Sequence, residues 1–271
     1  MDSSPCARKL RLAVLISGGG TNLQAMIDRC LAGSLNATIE VVVSDKSGAF
    51  GLKRAERAEI PAFHIDYKSC AQSALKKAEN LVDLAELDRR QKILKISDPN
   101  RRLARLAGLV VAESEIIRAI DSFEPDYVCL AGFMRLLTPY FISHFNARGP
   151  GIINIHPALL PSFPGSHGYE DTFNYGCKWG GVSVHFVDRG EDTGPLIAQA
   201  VYPLWPGEDI EKIRSRGLAL EYEVYSQVIN WLAAGQVLIK EGTDGAPRIE
   251  IADPDYASIL SAWVQKALSF S

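Results

Sequence analysis

Two polar side chains stand two residues apart in Asn154-Ile155-His156-Pro157, at the end of a short apolar run. Residues two apart in an extended strand face the same side, so Asn154 and His156 are predicted to project together. An amide donor beside an imidazole suits a reaction in which a carbonyl oxygen becomes negative while a proton moves. The neighbouring amide and the rigid proline favour a functional role for His156 over a structural one.

A carboxylate follows in the turn Asp192-Thr193-Gly194-Pro195. It could simply cap that turn, because Asp is common in turns that contain Gly and Pro. If the fold returned Asp192 to His156, the carboxylate would stabilise the imidazolium and raise the pKa of the histidine. The sequence leaves both alternatives open.

The glycine-rich segment Gly18-Gly19-Gly20-Thr21-Asn22 has the composition of a phosphate site. Glycines let the backbone approach a ligand, and a helix that begins just after them offers unpaired N–H groups and the positive end of its dipole. Thr21 and Asn22 could add side-chain donors. The pattern is neither G-x-G-x-x-G nor a P-loop, and an ordinary strand-to-helix turn capped by Thr21 is the alternative.

Two other kinds of site are disfavoured. A zinc site from His156, His167 and His185 is conceivable, but the spacing matches no H-x-x-x-H or H-E-x-x-H pattern. Ser17 lies in Ile-Ser-Gly and lacks the G-x-S-x-G elbow of a serine hydrolase. We therefore expect neither a metal nor a serine nucleophile.

The elements that must position these residues alternate between strand and helix. Short apolar runs predict strands at 10–16, 38–44, 61–65, 126–131 and 151–155. Helical spacing occurs at 23–27, 49–58 and 116–123. This alternation predicts an α/β fold with a doubly wound, mostly parallel sheet that helices cover on both faces. The carboxyl ends of such strands are where ligands bind, and the glycine-rich segment and His156 both fall there.

The rest of the chain departs from this rhythm in two places. Residues 68–105 are rich in Lys, Arg, Glu and Leu and predict helices that interrupt the alternation. After about residue 180, the runs 182–187 and 196–203 predict an antiparallel hairpin, and 209–233 predicts a long helix. Residues 254–271 predict a C-terminal amphipathic helical extension. No linker divides the chain, so we expect a single domain over 1–271.

Bulk composition limits the classes of partner. The 271 residues, 47% of them hydrophobic, suffice for one sizeable core. A net charge of −3 and a pI near 6.0 give no electrostatic reason to expect nucleic acid or an anionic membrane. No leader-like segment follows Met1 and no apolar run of about 18 residues occurs, which favours a cytoplasmic protein. The cysteines form no Cys-x-x-Cys pair and predict a reducing compartment: Cys6, Cys30, Cys70, Cys129 and Cys177.

Four segments together resemble the phosphoribosylglycinamide formyltransferase family, in order over residues 11–235. They are Ser17-Gly18-Gly19-Gly20-Thr21-Asn22-Leu23-Gln24, Leu130-Ala131-Gly132-Phe133-Met134-Arg135, Asn154-Ile155-His156-Pro157-Ala158-Leu159-Leu160-Pro161, and Gly181-Val182-Ser183-Val184-His185-Phe186-Val187 continuing to Asp192-Thr193-Gly194-Pro195. Each segment alone would be a weak signal, whereas the four in order are specific. The resemblance implies a formyltransferase or Rossmann-like fold.

The resemblance also implies an activity: transfer of a formyl group from 10-formyltetrahydrofolate to the amine of glycinamide ribonucleotide in purine synthesis, without a metal. It implies small-molecule partners, no nucleic acid or membrane, and a homodimer as the oligomeric state to test. The residue roles that it implies are a catalytic set of Asn154, His156 and Asp192; a phosphate site at Gly20, Thr21 and Asn22; ribose binding by Glu221; a pterin site at Arg135, Leu137, Val187 and Asp188; and a passage between the ligands lined by Met134 and Pro157.

The chain departs from the family pattern around the expected acceptor pocket. The stretch 68–105 is longer than the family's and reads as an insertion, and an arginine that usually helps to bind ligand has no clear counterpart, with Leu109 near its place. Gly168-Tyr169-Glu170-Asp171 differs from the usual polar run, and the tail beyond about residue 240 is longer. These departures bear on the acceptor more than on the chemistry.

Three alternatives stay open at this point. The chemistry would also serve a formyltetrahydrofolate deformylase or a formyltransferase with another amine acceptor. A transformylase for initiator tRNA would be expected to carry a basic C-terminal domain, which the sequence lacks. A non-catalytic nucleotide-binding α/β module is the alternative of another class, and it has no need of an acid–base set such as Asn154, His156 and Asp192.

Overall fold

The computed structural model describes residues 8–243 and 245–270. Cys6 and the start of the chain, on which the leader prediction rested, lie outside the described residues. The strands are β1 (Leu10–Ile16), β2 (Ala37–Ser44), β3 (Ala62–His64), β4 (Tyr127–Leu130), β5 (Ile152–His156), β6 (Trp179–Phe186), β7 (Leu196–Pro203), β8 (Val237–Glu241) and β9 (Pro247–Ile251). The helices are α1 (Thr21–Leu31), α2 (Phe50–Arg57), α3 (Tyr67–Cys70), α4 (Ala74–Glu79), α5 (Leu84–Arg90), α6 (Pro99–Asp121), α7 (Pro139–Phe145), α8 (Gly168–Asn174), α9 (Ile210–Ala233) and α10 (Tyr256–Ser269).

A seven-stranded sheet in the order β3-β2-β1-β4-β5-β6-β7 forms the centre of the molecule. The first five strands in this order are parallel, and β6 and β7 are antiparallel to their neighbours. The predicted doubly wound, mostly parallel sheet is therefore confirmed, together with the antiparallel hairpin and the long helix α9 that follows it. Helices α7 and α8, which connect strands of the sheet, were not predicted from the sequence.

The sheet separates two hydrophobic cores. Successive strand residues point to opposite faces, so Leu12 and Val14 of β1 enter one core and Ala13 and Leu15 the other. Helices α1 and α9 cover the first face, which we call the α9 face. Helices α6 and α7 cover the second, the α6 face. Burial on both sides explains why these strands read as unbroken apolar runs rather than as alternating ones.

Residues 68–105 contain most of α3, all of α4 and α5, and the first two turns of α6. These helices form a small third core against α6, in which Ala78 and Leu84 meet Leu106 and Val110. Helix α6 begins at Pro99, after Asp98 accepts hydrogen bonds from the backbone N–H groups of two residues in its first turn. That this stretch is an insertion relative to the family stays a prediction.

A second, two-stranded sheet follows α9 and was not predicted. Strands β8 and β9 pair antiparallel, with Ile239 opposite Ile249, and in β9 the charged residues Arg248 and Glu250 flank Ile249. Helix α10 then packs back on α9, where the Trp263 and Tyr256 rings lie 5.8 and 5.6 Å from the Trp231 ring. The terminal amphipathic pattern thus corresponds to a helix anchored by aromatic contacts.

Within residues 8–243 and 245–270, no helix is both long enough and apolar enough to cross a membrane. Cys30, Cys70, Cys129 and Cys177 are free thiols. Burial raises the pKa of the Cys129 thiol to about 12, so this cysteine serves as a small apolar side chain in the sheet.

One carboxyl group is fully enclosed on the α6 face. Glu113 of α6 accepts a hydrogen bond from the Thr138 backbone N–H at 2.8 Å and contacts the Thr138 hydroxyl. Burial raises the pKa of Glu113 to about 8, because the desolvation of the carboxylate outweighs these hydrogen bonds. At pH values between the ordinary pKa near 4.5 and the raised pKa of about 8, Glu113 keeps its proton in the folded state and has lost it in the unfolded state. This group therefore makes the protein less stable as the pH rises through that range.

We expect Glu113→Gln to remove this pH dependence, because the amide keeps the shape and both hydrogen bonds of the neutral acid. Relative to the variant, the wild-type protein should lose at least about 1 kcal/mol of unfolding free energy between pH 5 and pH 8. Urea unfolding at several pH values measures this. Glu115→Gln, an exposed position on the same helix paired with Arg118, is the matched control and should follow the wild-type curve. Parallel curves for wild type and Glu113→Gln would contradict the assignment.

Candidate active site

A cavity of about 610 Å³ opens at the carboxyl ends of β1, β4 and β5. Its size suits a small-molecule ligand, and its place is the usual one for open α/β sheets. The structure brings together around it all the residues that the sequence analysis proposed for a site. They are Gly20, Thr21, Asn22, Met134, Arg135, Leu137, Asn154, His156, Pro157, Val187, Asp188, Asp192 and Glu221.

Strand β5 presents Asn154 and His156 on one side. Ile153 and Ile155 enter the α9-face core while Ile152 enters the α6-face core, so the alternation places Asn154 and His156 on the side of Ile152. Both side chains line the cavity. Asn154 and His156 thus project to the same side of β5, as predicted.

The turn between β6 and β7 carries Asp192 back over β5. Asp192 adopts a left-handed backbone conformation, with φ +53°, which Asp tolerates better than most residues. A Cβ on Gly194 would lie 1.8 Å from the Phe186 carbonyl oxygen, so the turn closes this tightly only with glycine there. As a result, Asp192 Oδ2 lies 3.4 Å from His156 Nδ1. The carboxylate–imidazole contact that the sequence left open is present.

Asp192 is held as a carboxylate by its surroundings. Burial alone would raise its pKa, but hydrogen bonding to the His185 ring and from the Gly165 N–H, with the charge of His156, brings the pKa below the ordinary value. The Gly165 N–H donates to Oδ2 at 2.8 Å, and the Asn154 side-chain amide donates to Oδ1 at 3.4 Å. Asp192 is therefore a fixed negative charge beside the imidazole.

His156 faces an acceptor on each side of its ring. Nε2 lies 2.8 Å from the Phe163 carbonyl oxygen, which can only accept, so Nε2 carries a hydrogen. Nδ1 faces Asp192, and this pair of neighbours fits an imidazolium. Even so, burial lowers the pKa of His156 by more than Asp192 and the Phe163 carbonyl raise it. Asp192 thus raises the pKa of His156 as expected, but the net pKa lies below the ordinary value because burial outweighs this contribution.

His185 also belongs to this cluster, although the sequence analysis considered it only as a zinc ligand. It lies opposite Asn154 in the β5–β6 register. Its Nδ1 donates to the Phe186 carbonyl oxygen at 2.9 Å, and its Nε2 lies 3.2 Å from the Asn154 side-chain nitrogen. His185 Nε2 is 3.5 Å from Asp192 Oδ1. The period-two pattern of β6 indicated the face of His185, but not its register against β5.

The zinc alternative is not supported. Residues 8–243 and 245–270 contain no group of three His, Cys, Asp or Glu side chains arranged to hold a metal. His167 instead occupies the position before the first residue of α8. Ser17, the residue of the hydrolase alternative, is buried and accepts a hydrogen bond from the Met134 backbone N–H at 2.8 Å. Its hydroxyl links two loops of the site.

The glycine-rich segment ends at the start of α1. Gly20, not Thr21, is the N-cap residue; its φ is +67° and no side chain caps the helix. A Cβ on Gly20 would lie 2.7 Å from the Gly51 Cα, so the segment also packs against the start of α2. The alternative of a turn capped by Thr21 is therefore wrong about the capping residue. The first N–H groups of α1 have no side-chain cap, and Gly20, Thr21 and Asn22 line the cavity, which suits an anion site.

A buried carboxylate stands on the α9 face of the cavity. Glu221 of α9 is 4% exposed and lines the cavity with Asn22. The Asn22 side-chain amide donates to Glu221 Oε2 at 2.6 Å, and the Tyr169 hydroxyl donates to Oε1. Tyr169, from the segment that departs from the family pattern, was not predicted as a site residue. Its side chain enters the α9-face core while its hydroxyl reaches the cavity wall.

The opposite wall comes from the α6 face. Leu137 is buried in the α6-face core, Val187 packs against that core, and Asp188 follows it at the rim. Arg135 Nε donates to Asp45 at 2.6 Å, and its guanidinium lies 4.7 Å from the centre of the Tyr67 ring. Leu109, near the place of the missing arginine, points into the α6-face core and reaches no ligand space. This wall is more apolar than the Glu221 side.

The arrangement has the parts for acyl-type transfer. An amide, a histidine with a fixed carboxylate, and an open space lie together between a helix N-terminus and an apolar wall. Such donors can stabilise an oxygen that becomes negative, and the histidine–carboxylate pair can move a proton.

Comparison with known proteins gives consistent matches. The formyl transferase family model matches residues 10–229, so α10 lies outside the match. The phosphoribosylglycinamide formyltransferase of Escherichia coli K12 is 35% identical over 232 residues, covering 86% of this chain and 91% of that protein. The crystal structure of glycinamide ribonucleotide transformylase 1 from Symbiobacterium toebii matches with a TM-score of 0.69 and 33% identity, over 91% of this chain and 95% of that one.

A formyltetrahydrofolate deformylase from Pseudomonas syringae is also similar in structure, with a TM-score of 0.66. Its identity is 23%, and the match covers 91% of this chain but 67% of the deformylase. This similarity shows a shared fold.

The pKa of His156 provides a direct test of the cluster. We expect His156 to titrate below its ordinary value of 6.5 in the free protein, because burial dominates. Asp192→Asn should lower its pKa further, because the variant removes the charge that favours imidazolium. Two-dimensional NMR of the histidine rings measures both. The His144 signal, from the opposite end of the sheet, should not change between the two proteins. A higher His156 pKa in Asp192→Asn would refute this account.

Proposed function

The chain belongs to the formyl transferase family as a folate-dependent formyltransferase of the phosphoribosylglycinamide type, and from this premise we propose that it formylates the amine of glycinamide ribonucleotide, with 10-formyltetrahydrofolate as formyl donor and no metal. The observation that carries the proposal is the meeting of Asn154, His156 and Asp192 at the centre of one cavity. In this proposal, two ligands enter that cavity from opposite walls and react between them.

The ribonucleotide would occupy the wall formed by α1 and α9. Its phosphate would accept hydrogen bonds from the backbone N–H groups at Gly20, Thr21 and Asn22, where the helix dipole adds a favourable field. Its ribose hydroxyls would donate to Glu221. The amine would then reach toward Asn154 and His156, past Pro157, which lines the cavity next to them.

The folate would occupy the apolar wall of the α6 face. Its pterin would pack against Leu137 and Val187, and its polar edge would pair with backbone groups near Arg135 and Asp188. Met134 lines the passage between the two ligands; its side chain is 54% exposed, so it is free to pack against a ligand. Apolar walls with a few convergent polar groups are typical of cofactor and cosubstrate sites.

In the proposed reaction, the lone pair of the amine attacks the formyl carbon. The carbonyl oxygen becomes an oxyanion, and the tetrahedral intermediate collapses when the bond from the carbon to N10 of the folate breaks. One proton leaves the attacking nitrogen and one proton arrives at N10, so the products are a formamide and tetrahydrofolate. The enzyme must stabilise the oxyanion and move that proton.

Asn154 would stabilise the oxyanion as a hydrogen-bond donor and protonated His156 as a nearby positive charge; a preorganised donor lowers the barrier by roughly 3–4 kcal/mol. Asp192 would favour the charged form of His156 once the oxyanion develops and would position a water molecule for the proton relay. Burial keeps the pKa of His156 low in the free protein, and an oxyanion beside the ring would raise it. The imidazolium would thus be favoured most when the negative charge is present.

Two alternatives remain distinguishable. A deformylase would share this fold and transfer the formyl group to water. Glu221, held beside the glycine-rich segment, favours an acceptor that carries hydroxyl groups and a phosphate. A binding module without catalysis would not need Asp192 fixed against His156.

The acceptor dependence of formyl loss tests the reaction class. We expect the absorbance of 10-formyltetrahydrofolate to change on mixing with the protein only when glycinamide ribonucleotide is present, because the amine is the nucleophile. Loss of formyl without any acceptor would identify a deformylase. No loss under either condition would support the binding module and overturn the proposal.

His156→Ala should lower kcat by at least about 100-fold, because it removes the acid–base group and one oxyanion contact. The circular dichroism spectrum should remain that of the wild type. His144→Ala, the same change at an exposed histidine outside the cavity, is the control and should keep full activity. His156→Gln is the second variant in case His156→Ala does not fold, since glutamine fills more of the space but cannot carry the positive charge. Full turnover in either His156 variant would exclude the proposed mechanism.

A further inference from the structure

Tyr169 is a buried tyrosine that borders the candidate acceptor site. It is 7% exposed, lies on α8 and lines the cavity beside Glu221. Its hydroxyl donates to Glu221 Oε1. Burial and the neighbouring carboxylate raise the pKa of Tyr169 well above 10, so the hydroxyl keeps its hydrogen and remains a donor.

Two glycines hold the tyrosine in place. A Cβ on Gly217 of α9 would lie 2.3 Å from Cε1 of the Tyr169 ring, so the ring lies directly on the helix backbone. A Cβ on Gly168 would lie 2.8 Å from the Pro157 carbonyl oxygen, so the first turn of α8 packs against the residue after β5. The hydroxyl position is therefore fixed relative to both Glu221 and His156.

Glu221 is held by neutral donors on both oxygens. Tyr169 takes Oε1, and the Asn22 side-chain amide takes Oε2 at 2.6 Å. Burial raises the pKa of Glu221, and these two hydrogen bonds act against the rise. Among the described residues no cation pairs with this carboxylate, so its capacity as an acceptor is not neutralised.

The orientation of Asn22 follows from this arrangement. Because its NH₂ group faces the carboxylate, its Oδ1 is an acceptor, and Oδ1 is buried without a hydrogen-bond partner among the residues that the structure describes. Asn22 is 8% exposed and lines the cavity. This oxygen has almost no accessible surface, so the Asn22 side chain acts by holding Glu221 and not by contacting a ligand through Oδ1.

We propose that Tyr169 is a positioning residue for the acceptor: with Asn22 it fixes Glu221 so that the carboxylate accepts hydrogen bonds from a ligand that carries two neighbouring hydroxyl groups. This inference rests on the proposed function, and it deepens the acceptor site. It assigns the Asn22 side chain to Glu221 and leaves the phosphate to the backbone N–H groups of the segment around Gly20.

The test compares Tyr169→Phe with Tyr202→Phe. Tyr202 is a second buried tyrosine close enough to Glu221 for the carboxylate to raise its pKa, but its hydroxyl has no partner among the described residues and it does not line the cavity. We expect Tyr169→Phe to raise KM for glycinamide ribonucleotide about tenfold, because the affinity for this substrate falls by the contribution of about one hydrogen bond. kcat and KM for the folate should change by less than about twofold. Tyr202→Phe should leave all three unchanged.

Comparing ligands with and without the diol tests which chemical group the acceptor site recognises. Wild type should bind ribose 5-phosphate more tightly than an analogue that lacks the hydroxyl groups on C2 and C3, as measured by calorimetry, and Tyr169→Phe should reduce this preference about tenfold. Gly217→Ala, which displaces the Tyr169 ring without removing its hydroxyl, should have the same effect. A purely structural role would lower stability or kcat and leave the preference intact.

The outcomes separate the two proposals. Unchanged KM and unchanged preference in Tyr169→Phe would overturn the role of Tyr169 while the formyl transfer stands. A protein that prefers ribose 5-phosphate through Tyr169 but does not use glycinamide ribonucleotide would support the inference and overturn only the acceptor. A wild type without any preference for the diol would overturn the inference directly.

Discussion

The buried contact between Asp192 and His156 is the constraint on which the site depends. Two groups that lose water on burial face each other at 3.4 Å, and such a pair is stable only if its remaining polar atoms are satisfied. The Gly165 N–H, the Asn154 amide and the His185 ring supply those partners. The turn from β6 to β7, the antiparallel register of β6 on β5 and the loop before α8 must therefore all be in place before the pair can form.

The sheet gives this pair two different surroundings. On the α9 face, Glu221 and the N-terminus of α1 make a polar wall; on the α6 face, Leu137 and Val187 make an apolar one. Because the strand tips of β1, β4 and β5 lie between these faces, the reactive groups sit where the two walls meet. A parallel sheet covered on both sides produces this arrangement without any interdomain cleft.

The sequence predicted the sheet, the common face of Asn154 and His156, and the place of the glycine-rich segment, because strand period and glycine turns are local patterns. It could not predict the Tyr169–Glu221 contact, which joins α8 to α9 and depends on the missing side chain of Gly217. Nor could it predict the direction of the His156 pKa, since that follows from the extent of burial rather than from the identity of the neighbour. Contacts across elements and degrees of burial arise only from tertiary packing.

The lowered pKa of His156 changes how the proposed catalysis would work. A histidine that was charged at all times would attract the carbonyl oxygen of the substrate and the oxyanion alike, and uniform attraction does not raise kcat. Burial instead makes the imidazolium costly until a second negative charge arrives beside it. Asp192 supplies one charge permanently, and the oxyanion would supply the other only as the carbon becomes tetrahedral. In this chain, desolvation of the histidine would thus confine its strongest interaction to the transition state.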